Sequence, residues 1–173
     1  MPATYYNGIK LKKIYYNGST LKKMYLNNVL VFSGGELEYY GTATALSSAR
    51  SSLAATTVGD YALFGGGKSN AVVDAYDASL TRSTPNALRS GRSYLAATTV
   101  GDYALFGGGI NSNNSKSNVV DAYDASLTRI TPSVLSSARS NLAATTVGDY
   151  ALFGGGINSN NSKSNVVDVY QVV

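Results

Sequence analysis

Histidine, cysteine and tryptophan are all absent from this 173-residue sequence. Without cysteine there is no disulfide scaffold and no thiol nucleophile. Without histidine there is no imidazole base, and without either residue there is no Cys/His metal site. No run approaches the roughly 18 apolar residues of a membrane span. The opening "MPATYYNGIK" lacks the basic start and apolar stretch of a secretory signal. These absences lead us to expect a soluble protein made in a cytoplasm, with no membrane insertion and no cofactor. The net charge of +4 is too weak to indicate a nucleic-acid binder.

Internal repetition dominates what is present. "LAATTVGDYALFGGG" begins at Leu53, again at Leu95 and again at Leu142. The second and third copies are identical from Leu95 to Asp121 and from Leu142 to Asp168. The first differs in length only between its glycine triplet and its "VVD", which marks that polar stretch as a loop. Within a unit every local signal is β. Two short strands flank a Gly-Asp turn, the second ends in three glycines, "NAVVDAYD" is a third strand, and "SLTRSTP" a fourth stopped by proline. No stretch carries a 3.6-residue apolar period of helical length. The unbroken apolar quartet Tyr61–Phe64 implies a strand buried on both faces.

Four short strands in roughly 45 residues suit a propeller blade. Residues 39–173 resemble the kelch family in the apolar quartet before Gly65, Gly66 and Gly67, and in the later "VVDAYD" (72–77). Small or polar residues around Arg82 and Arg129 stand where kelch repeats carry a tryptophan in the fourth strand. The resemblance implies an all-β, kelch-like propeller with three four-stranded blades per chain, at about 51–86, 93–133 and 140–173.

Residues 1–35 form a second system, with a period near ten: "YYNGIKLKKI", "YYNGSTLKKM", "YLNNVLVF". Asn-Gly and Asn-Asn pairs predict two-residue hairpin turns, and we expect a four-stranded antiparallel meander ending near Phe32. This segment resembles the Tyr/Asn-Gly/Lys-Lys hairpin repeats at the start of structural proteins of phages that infect Gram-positive bacteria. The resemblance implies an attachment role, with Tyr5, Tyr6, Tyr15, Tyr16, Lys12, Lys13, Lys22 and Lys23 as candidate residues. Lysines among tyrosines could also contact nucleic acid, but the preferred reading is that the lysines keep the edges of a small sheet soluble while the tyrosines cover its other face, and nucleic acid is not expected as a partner.

The last unit holds only "VYQVV" after Asp168, whereas "EYYGTATALSSAR" (38–50) parallels the ends of the other units. The propeller part, 36–173, therefore offers a strand at 38–46 and lacks a fourth strand in its last blade. Three blades are too few for a ring, since known propellers use about four to eight. A homodimer with strand exchange would make six, and that is the favoured expectation over a trimer of nine or an open array.

Arg50, Arg92 and Arg139 recur just before each first strand. Propeller topology places them on the same face as the 68–70 loop and the two "INSNNSKSN" loops. With Asn111, Asn113, Asn114, Asn158, Asn160 and Asn161 they form a candidate binding face for an acidic glycan or a protein. The competing reading has the arginines satisfying carbonyls at blade junctions while the loops are merely solvated. Asp74, Asp121 and Asp168 interrupt an apolar strand, so they need partners, and the arginines are candidates. Asp60, Asp102 and Asp149 suit hairpin turns, and the glycine triplets precede loops rather than helices, unlike a phosphate loop.

No catalytic residue or metal ligand is expected. Kelch-like copper oxidases need histidine and cysteine, and identical repeats rarely build one asymmetric two-carboxylate site. Two functions follow as expectations. One is a structural protein of a phage particle in tail, baseplate or capsid, contacting other virion proteins and a host cell-surface glycan. The other is a bacterial carbohydrate- or protein-binding propeller.

Overall fold

The structure, a computed structural model, describes residues 39–173 in full. Before them it describes the strand backbone at 5–6, 9–10, 15–16, 19–20, 23–26 and 29–33. The chain divides into two compact units, Met1–Gly41 and Thr42–Val173.

Among its described residues the first unit holds three two-stranded sheets, where one four-stranded meander was expected. β1 (Tyr5–Tyr6) pairs with β2 (Ile9–Lys10), β3 (Tyr15–Tyr16) with β4 (Ser19–Thr20), and β5 (Lys23–Leu26) with β6 (Val29–Ser33). The pairs Tyr6↔Ile9, Tyr16↔Ser19 and Leu26↔Val29 leave two residues for each connection. Each ten-residue period therefore contains a whole hairpin. The turn dipeptide divides the period into two strands that pair with each other, where we had expected one strand per period.

The second unit is built from the long repeats. Sheet 1 consists of β7 (Ala54–Val58), β8 (Tyr61–Gly65), β9 (Val73–Tyr76) and β10 (Arg82–Ser83). Sheet 2 consists of β11 (Ala96–Val100), β12 (Tyr103–Gly107), β13 (Val120–Asp124) and β14 (Arg129–Ile130). Between sheets 2 and 3 runs β15 (Arg139–Ser140). Sheet 3 has three strands, β16 (Ala143–Val147), β17 (Tyr150–Gly154) and β19 (Val167–Gln171), while β18 (Ile157–Asn158) pairs with β15. All pairings are antiparallel. Among the described residues there is no helix, and none long and apolar enough to cross a membrane. The arrangement is all-β, in small antiparallel sheets compatible with a propeller-like or sandwich-like fold.

Local chemistry sets each turn. Gly59, Gly101 and Gly148 take positive φ at the first position of the Gly-Asp hairpins, which a side chain would resist. Asp77 and Asp124 then close the turns before the fourth strands. Asp77 Oδ1 accepts from Ser79 N and Thr81 N, both at 2.9 Å, and Asp124 does the same with Ser126 and Thr128.

The sheets stack face to face through residues that recur at the same repeat positions. One core layer sets Val58, Leu63 and Val73 of sheet 1 beneath Leu95 and Phe106 of sheet 2. The next sets Val100, Leu105 and Val120 of sheet 2 beneath Leu142 and Phe153 of sheet 3. The fit explains the first glycine of the first two triplets. A Cβ on Gly65 would come within 2.7 Å of the Phe106 ring, and one on Gly107 within 2.7 Å of the Phe153 ring. Threonines join the layers at their polar edge, with Thr56 to Thr99 at 2.8 Å and Thr98 to Thr146 at 2.8 Å.

Residues 39–46, expected as a strand donated to another chain, form no strand within one chain, and Glu38 lies outside the described residues. Residues 42–50 instead run as a connector docked on sheet 1. The Thr44 carbonyl accepts from Tyr76 Oη at 2.7 Å, as Asn86 does from Tyr123 and Ser133 from Tyr170. Every connector thus clamps the sheet that follows it.

Candidate functional site

The recurring charges meet in the interior. Asp74 and Asp121 are fully buried. Each is the second residue of its third strand, opposite Phe64 and Phe106 respectively. Arg50 Nη2 reaches Asp74 at 2.7 Å, and the same guanidinium donates to the Gly66 carbonyl at 2.8 Å and to that of Phe64 at 3.1 Å. Arg92 pairs with Asp121 while donating to the carbonyls of Gly108 (2.9 Å) and Val119 (2.6 Å). Arg139 pairs with Asp168 and donates to Gly155 and Val166, both at 2.8 Å. A second arginine approaches two of these carboxylates from the fourth strand: Arg82 to Asp74 at 3.4 Å, and Arg129 to Asp121 at 3.0 Å.

The fork of a guanidinium suits this task, because one planar group spans two carbonyls and a carboxylate. It joins the connector, the glycine triplet and the third strand of one unit. The side chains of Arg50, Arg92 and Arg139 are at most 1% exposed, so their charge is spent inside the fold and not offered to a ligand. The junction reading describes them, and the binding-face reading does not.

The asparagines divide into three groups. Asn111 Oδ1 accepts from Asn113 N and Ser115 N at 3.0 Å, and Asn158 Oδ1 accepts from Asn160 N and Ser162 N at 3.0 and 3.1 Å. Those two fold their own loops. Asn161 accepts from Lys116 Nζ at 2.7 Å, joining the two loops. Asn113, Asn114 and Asn160 are exposed and free to meet a partner. Of the candidate attachment residues, Tyr5, Tyr6, Tyr15, Tyr16 and Lys23 lie in β1, β3 and β5, while Lys12, Lys13 and Lys22 lie outside the described residues.

A different surface stands out, and no single residue in the sequence announces it. The core positions of sheets 1 and 2 are exposed when they recur in sheet 3. Val58 and Val100 are 1% and 4% exposed but Val147 is 62%; Val73 and Val120 are 0% and 1% but Val167 is 51%. A shallow apolar depression lies there, lined by Ala143, Ala144, Thr145, Leu152, Gly154 and Val167. At the other end of the stack, Ala55 and Thr57 of sheet 1 are exposed and Phe64 is half-buried, whereas Phe106 and Phe153 are fully buried. Comparing burial between repeats, not residue identity, is the signal that finds these faces.

Titration follows from the same contacts. Burial raises the Asp74 pKa, but hydrogen bonds from Arg50 and Ser47 outweigh it and hold the carboxyl below its ordinary 3.8. The hydroxyls of Ser79 and Ser126, with the N–H groups of Thr81 and Thr128, lower Asp77 and Asp124. Burial, and then the charge of Asp168, push the Tyr170 phenol up to about 12, and burial also raises Tyr123. Lowered carboxyls contribute stability that is present above their unfolded pKa and lost as pH falls through the folded one. Raised phenols contribute stability that is present below pH about 10 and lost as pH climbs toward the folded value. With no histidine or cysteine to titrate between them, the unfolding midpoint should be flat from about pH 5 to about pH 9 and fall on both sides. A thermal melt series tests this; a step near pH 6.5 would contradict it.

No family model matches this sequence, and no curated protein sequence matches it. Among solved structures the chain is similar to that of YjhT, at a TM-score of 0.65 and 15% identity over 74% of this chain. At that identity the likeness concerns the fold alone. The chain spans 44% of the YjhT chain, less than half its length.

Proposed function

We propose that the chain is a non-enzymatic structural and interaction protein of a phage particle, in tail, baseplate or capsid. Residues 1–38 attach it to other virion proteins, and the repeat unit is presented as a kelch-like propeller for host-surface or protein contact. The observation that carries this reading is the row of hairpins β1–β6, which recur with two-residue connections in a compact unit of their own. Their repeats resemble attachment segments of phage structural proteins. The repeat unit supports a scaffolding role because its recurring arginines and aspartates pair with one another in the interior, where they join connector to sheet. In this reading the protein resides in the virion after synthesis in the host cytoplasm, and its propeller is a homo-oligomer, with the dimer favoured.

A second reading, a bacterial glycan- or protein-binding propeller without a virion role, draws on the exposed Asn113, Asn114 and Asn160 beside the Lys116–Asn161 contact. Deleting residues 1–38 separates the two. The shortened chain should keep its β spectrum and fail to enter particles purified from infected cells. Absence of the full-length chain from those particles, together with retention of cell-wall glycan by the shortened one, would favour the second reading.

A further inference from the structure

We infer that the two exposed faces of the stack are each other's partners on a second copy of this chain, so that two chains close one ring of six sheets. The inference rests on reading the repeat units as propeller blades and is independent of the virion role.

Each junction inside the chain is a template for the missing one. The back face of one sheet receives the front face of the next at fixed repeat positions. Phe106 covers Gly65 and Phe153 covers Gly107, so the next aromatic in the series, Phe64 of a second copy, belongs over Gly154. That place is open: a Cβ on Gly154 would meet only Val167 of its own sheet, at 3.6 Å. The neighbouring glycines agree. A Cβ on Gly66 or Gly108 would strike the carbonyl of Arg92 or Arg139 at 2.7 Å, whereas one on Gly155 would find its first neighbour at 3.8 Å. A Cβ on Gly59 would meet Ala125 at 3.3 Å and one on Gly101 would meet Val172 at 2.9 Å, while Gly148 has nothing within 4 Å.

Polar rungs are open at both ends as well. Tyr94 N donates to the Ser52 carbonyl and Asn141 N to that of Tyr94, both at 2.9 Å. Continuing the series, Ser52 N of the second copy would donate to the Asn141 carbonyl. Thr56–Thr99 and Thr98–Thr146 likewise predict a contact of Thr145 with Thr57 of the second copy. Counted back from Thr44, which matches Asn86 and Ser133, Tyr40 and Gly41 occupy the positions of the fourth strand. Tyr39 and Tyr40 are 87% and 93% exposed, and β19 lacks an outer neighbour within its sheet. Strand exchange therefore draws on 40–41 more narrowly than on the whole of 38–46.

A head-to-tail contact of this kind either closes into a ring or runs on as a filament. Three sheets per chain fall below the four to eight that propellers use, two chains give six, and three exceed the range. Closure also covers the apolar patch on sheet 3, which a single chain leaves to water.

Two variants of the full chain test the inference. Gly154→Leu adds a side chain where a single chain has room and a partner's Phe64 would not. Phe64→Arg places a charge on the opposite face. Each variant alone should keep its β spectrum and sediment as one chain, with a dimer dissociation constant raised about a hundredfold or more. Mixed in equal amounts, they should associate more tightly than either does alone, because the intact Phe64 of one copy meets the intact Gly154 of the other at one of the two junctions, while both substitutions fall at the other. A wild-type chain that sediments as a monomer, a trimer or a polymer would overturn the two-chain ring. Folded variants that associate no better mixed than alone would overturn the pairing of faces. Neither result bears on whether residues 1–38 join a particle.

Discussion

Replacing Arg92 by alanine is expected to lower the unfolding free energy by about 3–5 kcal/mol, the cost of stranding one member of a buried ion pair. Arg92 and Asp121 are both fully buried, and the guanidinium also serves the carbonyls of Gly108 and Val119. Removing it takes a donor from the Gly108 carbonyl, leaves the Val119 carbonyl to Gly108 N, and leaves Asp121 to Arg89 N and Arg129. Arg129 offers the matched control, since it touches the same carboxylate from a position 28% exposed to water. Its alanine variant should cost about 1 kcal/mol. Arg92→Lys should rescue little, because one ammonium cannot span the three acceptors. Urea unfolding of the three variants checks the order, and equal losses at Arg92 and Arg129 would contradict the junction role.

Phe106→Ala should cost a similar amount, about 3–5 kcal/mol, because it removes a fully buried ring and leaves a void over Gly65. The ring also stands edge-on to Tyr123 with centroids 6.0 Å apart. Phe64 has the same sequence context and an equivalent edge-on partner in Tyr76 at 5.8 Å, but no sheet covers it within the chain. Measured where chains are dissociated, Phe64→Ala should therefore cost clearly less than Phe106→Ala. Domains of ordinary stability hold about 5–15 kcal/mol, so either large loss leaves little reserve. Chemical unfolding at submicromolar concentration is the measurement, and equal effects would mean that the stacking order is wrong.

The repeats made much of this unit legible. Identical segments must fold alike, and the strands, the Gly-Asp turns and the need to partner Asp74 and Asp121 all followed from local pattern. The arginine partners were legible too, because charges at fixed offsets in apolar surroundings have few other solutions. Three things were hidden, each for a physical reason. The N-terminal period holds a complete hairpin, and a ten-residue spacing alone does not separate one strand from two. Connectors such as 42–50 clamp the following sheet through the Thr44 carbonyl and Ser47 N, backbone contacts that leave no residue signature, to which the Ser47 hydroxyl adds a bond on sheet 1. The faces around Gly154 and Phe64 are invisible for the opposite reason: their residues match buried copies elsewhere, and only position in the stack makes them different.

Completion of the stack by a second copy shows directly in the mass of the full chain in solution. Light scattering at micromolar concentration is predicted to give twice the 18.1 kDa of one chain. A mass of 18.1 kDa, from a chain with an intact β spectrum, would contradict it.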